Sequence, residues 1–332
     1  MAKSCLNIFF MLTFVCVLKT NNKIISQSRY KFKKKDVFLL KKYIKQHYTK
    51  DFNFYCLTDI EKISGIDTIP LTNDYSEFWS KIELFKHDLG KTVYLDLDCI
   101  ILKNIDWLDN LEFDENIIHA SYQTLHNKKW LNSSFMIWMN SKKNIVNEFN
   151  YKEIIKNNYY VYGGTLPNSK EILDTGESYR VGDQAYIQDS LEKHNYNIKY
   201  IDNQLVNFYK FTTIEQRKEL NILFFSGFPK LNQCYFSDKH KTFILNKNKI
   251  ENIKHNELST IFQVEYIDEN FINHLIKKMF KKPIRNLKDL LNFKIKIYEH
   301  LLEDLCNNSD MLIMHKDNYL NIIENCKKQL DN

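Results

Sequence analysis

The chain has 332 residues, of which 44% are hydrophobic and 27% charged, as in ordinary globular proteins, so a chain disordered as a whole is excluded. With only seven glycines, four prolines and neither a P-loop nor a GxGxxG pattern, a glycine-rich phosphate loop is not expected. The formal net charge of +6 is not accompanied by a nucleic-acid-binding motif, so nucleic acid is not an expected partner.

The seven cysteines indicate the redox environment. Their number is odd and no CxxC or zinc-type spacing occurs, which predicts free thiols in a reducing, cytoplasmic compartment. The apolar run 8–18 is too short to cross a membrane, and it is either a short signal peptide or a strand. Because no small-residue cleavage site follows, we interpret 12–18 as the first core strand and 1–10 as a leader.

Strands and helices alternate through the first hundred residues. Asp36 is well placed to cap the first helix, and Gly90 to end the second. The alternation predicts a mostly parallel α/β sheet with helices on both faces, and ligands that bind beyond the carboxyl ends of its strands. The predicted elements are strand 12–18, helix 36–48, strands 52–57 and 65–70, helix 77–89 and strand 92–97.

The rest of the chain divides near residue 240. Residues 157–180 lack periodicity and are predicted to form a loop near the site. We expect one domain over 11–240 and a helical extension over 241–332 that serves packing, oligomerisation or acceptor contact. The predicted elements are a turn and short helix at 102–110, strands 117–121, 132–139, 197–201 and 222–226, and helices 144–155, 183–193, 268–282, 286–305 and 317–330.

Two carboxylates, Asp96 and Asp98, stand out at the end of the apolar run that begins at Val93. In an extended chain, side chains at i and i+2 point to the same side, where two negative charges repel each other. A divalent cation at the carboxyl end of a central strand explains the pair. The alternative is an edge strand whose two aspartates face water.

Asp96-Leu97-Asp98 resembles the DxD motif of GT-A-fold glycosyltransferases, in particular the family 8-like group. A lone DxD is weak evidence, but five blocks occur here in the order of that family, within an α/β pattern that covers 12–235. The blocks are Phe78-Trp79-Ser80-Lys81, the strand from Tyr94 to Asp98, Asn132-Ser133-Ser134, Gly182-Asp183-Gln184 and Gly227-Phe228-Pro229-Lys230.

The resemblance implies a metal site and a nucleotide-sugar donor. Asp96 and Asp98 are expected to hold Mn²⁺ or Mg²⁺, with Asp96 also near the ribose, since carboxylates suit hard divalent cations. Lys81 is expected to approach the diphosphate or the donor sugar. The donor implied is UDP-linked, and the polar turn 19–21 is expected to lie near its base.

The remaining blocks are expected to line the donor sugar and phosphates. Asn132 is expected to hydrogen-bond the sugar, and Asp183 with Gln184 to lie near the anomeric carbon as the catalytic pair. Gly227 would let the backbone approach closely, and Lys230 would pair with the phosphates. The resemblance also implies that the anomeric configuration is retained.

This chain departs from the family in its last block. Relatives place a metal-ligating histidine there, at the positions of Ser226 or Phe224. The third protein ligand is then missing, or is replaced by Ser226 or water. The other site residues also have ordinary interpretations: Lys81 and Lys230 as solvated lysines, Asn132 as a turn residue and Asp183 as a helix cap.

Two other functions remain open from the sequence. One is a phosphatase of the haloacid dehalogenase type with Asp96 as nucleophile, although that motif normally opens its domain. The other is an inactive glycosyltransferase-like scaffold that binds sugars or partners. The acceptor is a glycan, lipid or protein. The basic cluster between Lys277 and Arg285 is either solvated or a peripheral membrane contact, and the oligomeric state stays open.

Overall fold

The computed structural model describes residues 11–20, 32–75, 77–125, 128–156, 182–225, 234–238, 242–245, 291–292, 295, 298–299, 320 and 323–330. It divides into two compact units, the first holding the described residues up to Asn207 together with Leu220–Phe224. The second holds Phe208–Glu219 and the described residues from Phe225 onward. The predicted boundary at 240 stays a prediction, because most residues beyond it lie outside the described part.

The first unit contains a seven-stranded sheet of order β3-β2-β1-β4-β7-β6-β8, in which only β7 runs against its neighbours. Strands β5 and β10 pair antiparallel in a second, smaller sheet. The strands are β1 Leu12–Leu18, β2 Phe52–Thr58, β3 Asp67–Pro70, β4 Lys91–Leu95, β5 Cys99–Ile101, β6 Ile117–Leu125, β7 Lys128–Met139, β8 Asn197–Tyr200, β9 Val206–Phe208, β10 Ile222–Phe224, β11 Cys234–Ser237 and β12 Thr242–Leu245.

Helices cover both faces of the large sheet. Phe14 and Val15 point to opposite faces of β1 because side chains alternate along a strand. The Phe14 ring contacts that of Tyr48, directly after α1, with centroids 5.3 Å apart, whereas Val15 shares a buried cluster with Ile82 and with Leu191 of α4. The helices are α1 Lys34–His47, α2 Lys143–Asn147, α3 Tyr151–Lys156, α4 Gly182–Lys193 and α5 Ile214–Glu219, with 3-10 segments at Glu77–Lys86, Asp106–Asn110 and Tyr209–Phe211.

The predicted fold class is therefore confirmed as a mostly parallel α/β sheet with helices on both faces. The physical reason lies in the strands: β1 is apolar on both faces, as a strand covered from both sides requires. The helical extension stays a prediction. Thr242–Leu245, near its predicted start, is a strand, while the described residues of 291–330 are helical. No helix of the described residues is long and apolar enough to cross a membrane.

Two predicted helices differ from the structure. The helix predicted over 77–89 is a 3-10 segment, Glu77–Lys86, rather than an α-helix. Every residue from Trp79 to Phe85 is buried, so contacts on all sides override the helical preference of the sequence. The predicted helix 144–155 is broken, because the Oδ1 of Asn150 accepts the N–H of Glu153 at 3.2 Å and starts α3 as a cap.

Helix α1 and several strands also differ in their ends. The Oδ2 of Asp36 accepts the N–H of Lys33 at 2.7 Å, so Asp36 caps α1 from within its first turn. Strands β6 and β7 are longer than predicted and form a hairpin. Strands β5, β9, β11 and β12 and helix α5 were not predicted. The predicted leader 1–10 and loop 157–180 lie outside the described residues.

Candidate functional site

Asp96 lies at the carboxyl end of the central strand β4. The strand ends at Leu95, and the main-chain N–H of Asp96 donates to the carbonyl oxygen of Ser134 on β7 at 2.9 Å. This bond continues the pairing of β4 with β7 by one residue, so the backbone of Asp96 is held while its side chain reaches the sheet edge. In sheets of this type, ligands bind at that edge.

Lys81 connects Asp96 to a second carboxylate. Its Nζ lies 3.2 Å from Oδ1 of Asp96 and 3.0 Å from Oδ2 of Asp183. Burial alone would lower the pKa of Lys81, but the two carboxylates outweigh burial and raise it, so the ammonium stays charged. Lys81 is 5% exposed, so its interpretation as a solvated surface lysine is wrong.

Ser133, for which the sequence predicts no role, completes this buried group. Its hydroxyl donates to Oδ2 of Asp183 at 2.5 Å and accepts from Nζ of Lys81 at 3.1 Å. The carboxylate of Asp183 is thus held by Ser133 and Lys81, which makes it more than a helix cap. Four of the five sequence blocks thus meet at the Lys81 ammonium group.

A bulge in β7 brings Ser133 to this position. Ala120 of β6 lies opposite Met136, but the next residue, Ser121, lies opposite Asn132. Three residues of β7 therefore have no partner on β6. Asn132 shapes the bulge: its Oδ1 accepts the N–H of Ser134 at 3.0 Å, and its carbonyl accepts the Ser121 hydroxyl at 3.0 Å. Asn132 therefore has a turn-forming role at least, and its contact with a sugar stays a prediction. Bulges of this kind re-aim side chains beside active sites.

Tyr94 contacts both Asp96 and Lys81 from within β4. Its hydroxyl donates to Oδ1 of Asp96, and its ring lies 5.3 Å from Nζ of Lys81. Burial first, and then the charge of Asp96, raises the pKa of the Tyr94 hydroxyl well above its usual value, so it remains a donor. The alternation of side chains along β4 contained the signal, since Tyr94 and Asp96 are two residues apart.

Asp183 and Gln184 lie in the first turn of α4, which begins at Gly182. Asp183 is buried and Gln184 is half-buried, and the catalytic role of both stays a prediction. Gly182 has a φ of +74°, in the left-handed region that favours glycine, and a Cβ there would lie 3.4 Å from the Phe78 ring. The glycine therefore lets α4 start where its first turn faces Lys81.

Replacing Gly182 by alanine is expected to destabilise the protein by about 1–2 kcal/mol because of the left-handed backbone, with a smaller added cost from the close contact of the new Cβ with the Phe78 ring. Gly90 provides the matched control, because its φ is +68° and a Cβ there meets nothing within 4 Å. Urea unfolding of both variants measures the difference. If Gly90→Ala costs as much as Gly182→Ala, the Phe78 contact is irrelevant.

The carboxylates fit a divalent cation in part. Both described contacts of the Asp96 carboxylate, from Lys81 and Tyr94, go to Oδ1, which leaves Oδ2 for a ligand. Leu97 and Asp98 lie in a turn, so the expectation that both aspartates follow an extended chain is wrong. The described residues contain no group of three histidine, cysteine or acidic side chains that could hold a metal. Mg²⁺ in particular is often bound by only one or two carboxylates with substrate phosphates, a donor set that Asp96 and Asp98 fit.

Most of the predicted last block lies outside the described residues. Gly227, Lys230 and Ser226 lie outside the described residues, so their roles stay predictions. Phe224 is buried in β10, where it pairs with Cys99 and its ring lies 6.3 Å from that of Phe135. Phe224, which occupies one of the two positions where relatives have histidine, is thus a core residue.

The ends of β1, β2 and β3 place a second polar group on the same edge of the sheet. The main-chain N–H and the hydroxyl of Thr20 both donate to Oδ1 of Asp59, each at 2.9 Å. The Nζ of Lys19 lies 3.3 Å from Oδ1 of Asp74. These contacts fix the part of the turn 19–21 that is described. Its position near the base of a nucleotide stays a prediction.

The described cysteines are consistent with free thiols. None of them forms a disulfide and all are buried; they are Cys16, Cys56, Cys99, Cys234 and Cys326. Burial raises the pKa of the Cys99 thiol well above its usual value, and the charges of Asp98 and Asp96 raise it further. A buried thiol with a raised pKa is a poor nucleophile, so Cys99 is interpreted as a core residue.

Comparisons with known proteins found no matching family model and no matching curated protein. Among solved structures, the chain is similar to the galactosyltransferase LgtC with donor and acceptor sugar analogues, at 11% identity and a TM-score of 0.40, over 79% of this chain and 99% of that one. It is also similar to the glycosyltransferase GlyE of Streptococcus pneumoniae TIGR4, at 16% identity and a TM-score of 0.40, over 66% of this chain and 56% of that one.

The bifunctional glycosyltransferase WbbM is a further match, at 9% identity and a TM-score of 0.36, over 66% of this chain and 46% of that one. All three are glycosyltransferases, the class of enzyme that the sequence motifs resemble.

Proposed function

We propose that this protein is a GT-A-type glycosyltransferase that moves a sugar from a nucleotide-sugar donor, UDP-linked, to a glycan, lipid or protein acceptor. The observation that carries the proposal is the Lys81 ammonium between Asp96 and Asp183. These residues come from three separate blocks of the motif pattern, and they meet at the sheet edge where α/β folds bind ligands.

Lys81, Asp96, Ser133 and Asp183 form one polar cluster, and the cluster and its neighbours have chemical tasks in this proposal. The positive charge of Lys81 lies between the two carboxylates and reduces the repulsion between them. Asp96 retains Oδ2 for the donor. Asp183 and Gln184 contact the donor sugar near its anomeric carbon, and the Nδ2 amide of Asn132 donates to a sugar hydroxyl, since its Oδ1 is used within the bulge.

Asp96 and Asp98 are the residues that would hold Mn²⁺ or Mg²⁺, which when bound neutralises charge on the leaving nucleoside diphosphate. Lys230 and Gly227 complete the phosphate side in this proposal. Retention of the anomeric configuration follows from the family resemblance. Asp183 is the carboxylate of this group that would stabilise positive charge developing at the anomeric carbon.

The phosphatase alternative is less consistent with the position of the motif in the chain. Asp96 follows the fourth strand, whereas the phosphatase motif normally opens its domain. Covalent labelling of Asp96 by an acyl-phosphate donor would revive this alternative. The inactive scaffold differs from the enzyme only in turnover.

A thermal-shift screen of UDP, GDP, ADP and CDP, each with and without Mn²⁺, tests the proposal. A ligand that binds only the folded state raises its stability by about 2.7 kcal/mol at a hundred times its Kd. We expect UDP with Mn²⁺ to raise the Tm and the other bases to have little effect. An equal Tm with all four nucleotides, or no effect of Mn²⁺ on any of them, would contradict it.

A further inference from the structure

A groove of about 540 Å³ opens beside the loop that follows β3, within the first unit. Two segments line it as walls that meet at their aromatic rings, one with Asn73, Asp74 and Tyr75 and the other with Asn147, Tyr151 and Lys152. The volume lies in the range of small-ligand pockets. Because β3 is parallel to β4, the loop leaves the sheet at the same edge as Asp96, although none of the cluster residues lines the groove.

The lining chemistry favours a neutral, hydroxyl-rich ligand. The rings of Tyr75 and Tyr151 lie 5.1 Å apart at 45°, which gives the groove an aromatic surface with polar ends. The amides of Asn73 and Asn147 both donate and accept hydrogen bonds, as sugar hydroxyls do. Both acids of the lining have a basic partner, Asp74 in Lys19 and Glu148 in Lys193, so neither gives the groove a strong negative charge, as suits a neutral ligand.

Both walls are attached to the segments that carry the cluster. The carbonyl of Tyr75 accepts the hydroxyl of Ser80 at 2.9 Å, and Ser80 precedes Lys81. On the other wall, the ring of Phe149 lies 4.8 Å from that of Tyr186, which is three residues after Asp183 in α4. The groove therefore has a fixed position relative to the cluster.

We propose that this groove binds a neutral oligosaccharide, and that it holds a part of the acceptor distant from the reacting hydroxyl. The acceptor role rests on the proposed function, whereas the binding of a neutral glycan does not. In this assignment the tyrosine rings stack on a sugar face and the asparagine amides bond its hydroxyls. Charge on the glycan is not required.

The experiment measures binding of lactose, cellobiose, maltotriose, chitobiose and N-acetyllactosamine to the full chain by saturation-transfer NMR. We expect at least one of them to bind, and Tyr151→Ala and Asn147→Ala each to weaken it by about tenfold or more, a loss of about 1.4 kcal/mol. Asn144→Ala is the matched control, because Asn144 is exposed on the same helix α2 but does not line the groove.

The same variants are measured for UDP with Mn²⁺ by thermal shift, which separates the two proposals. Weaker glycan binding with unchanged UDP binding supports the groove, and glycan binding without any UDP binding supports the groove while rejecting the proposed function. The groove is rejected if no probe binds, or if Asn147→Ala and Asn144→Ala bind a probe equally well. Because Asn147 is exposed, its variant tests the groove even if Tyr151→Ala fails to fold.

Discussion

Replacing Lys81 by methionine is expected to destabilise the protein by about 3–5 kcal/mol, the usual cost of removing one partner from a buried ion pair. The residue is buried, and its ammonium contacts Asp96 and Asp183. Without it, the two carboxylates lie close together in a partly buried site, and among the described side chains the hydroxyls of Ser133 and Tyr94 still donate to them. Urea unfolding at neutral pH measures the loss.

Two further variants test whether the loss comes from the unpaired carboxylates. Asp183→Asn in the Lys81→Met background removes one of the unpaired carboxylates and is expected to recover part of the stability. Lys50→Met removes an ion pair with Asp109 whose lysine side chain is 59% exposed, and it is expected to cost less than about 1 kcal/mol. If the two lysine variants lose similar stability, Lys81 does not hold the cluster together.

Much of the first unit was predictable from the sequence because its signals are local. The apolar runs of β1, β2 and β4 gave those strands to within a few residues, and their alternation with helical periodicity gave the parallel sheet. The position of Asp96 at the end of β4 followed from the same pattern. Lys81 and Asp183 were identified by their motif blocks, not by local periodicity.

The parts that the sequence did not reveal depend on tertiary contacts. Ser133 reaches Lys81 only because β7 bulges between Asn132 and Met136, and a change of register is a property of the paired strands rather than of one segment. The 3-10 winding of Glu77–Lys86 likewise depends on burial from all sides. Tyr94, in contrast, was accessible from the alternation along β4 and was overlooked because a buried tyrosine is ordinarily a core residue.

The largest effect on activity is expected from Asp98→Asn. Removing one charged oxygen ligand lowers the affinity for a hard cation that few protein groups hold. Stabilisation of charge by a bound metal contributes several kcal/mol to such reactions. We therefore expect Mn²⁺-dependent hydrolysis or transfer of a UDP-sugar to fall by about two to three powers of ten. Assays over a range of Mn²⁺ concentrations measure it, with stability followed separately by urea unfolding.

Asp67→Asn is the matched control for this loss. Asp67 is exposed at the amino end of β3, the end of the strand away from the proposed site, so the same chemical change is expected to leave the rate unaltered. A higher Mn²⁺ concentration is expected to recover part of the Asp98→Asn activity, since weaker binding can be offset by mass action. Equal rates for the wild type and Asp98→Asn at every Mn²⁺ concentration would remove Asp98 from the metal site. The cation would then have to depend on Asp96, and the second carboxylate of the DxD resemblance would have no part in donor binding.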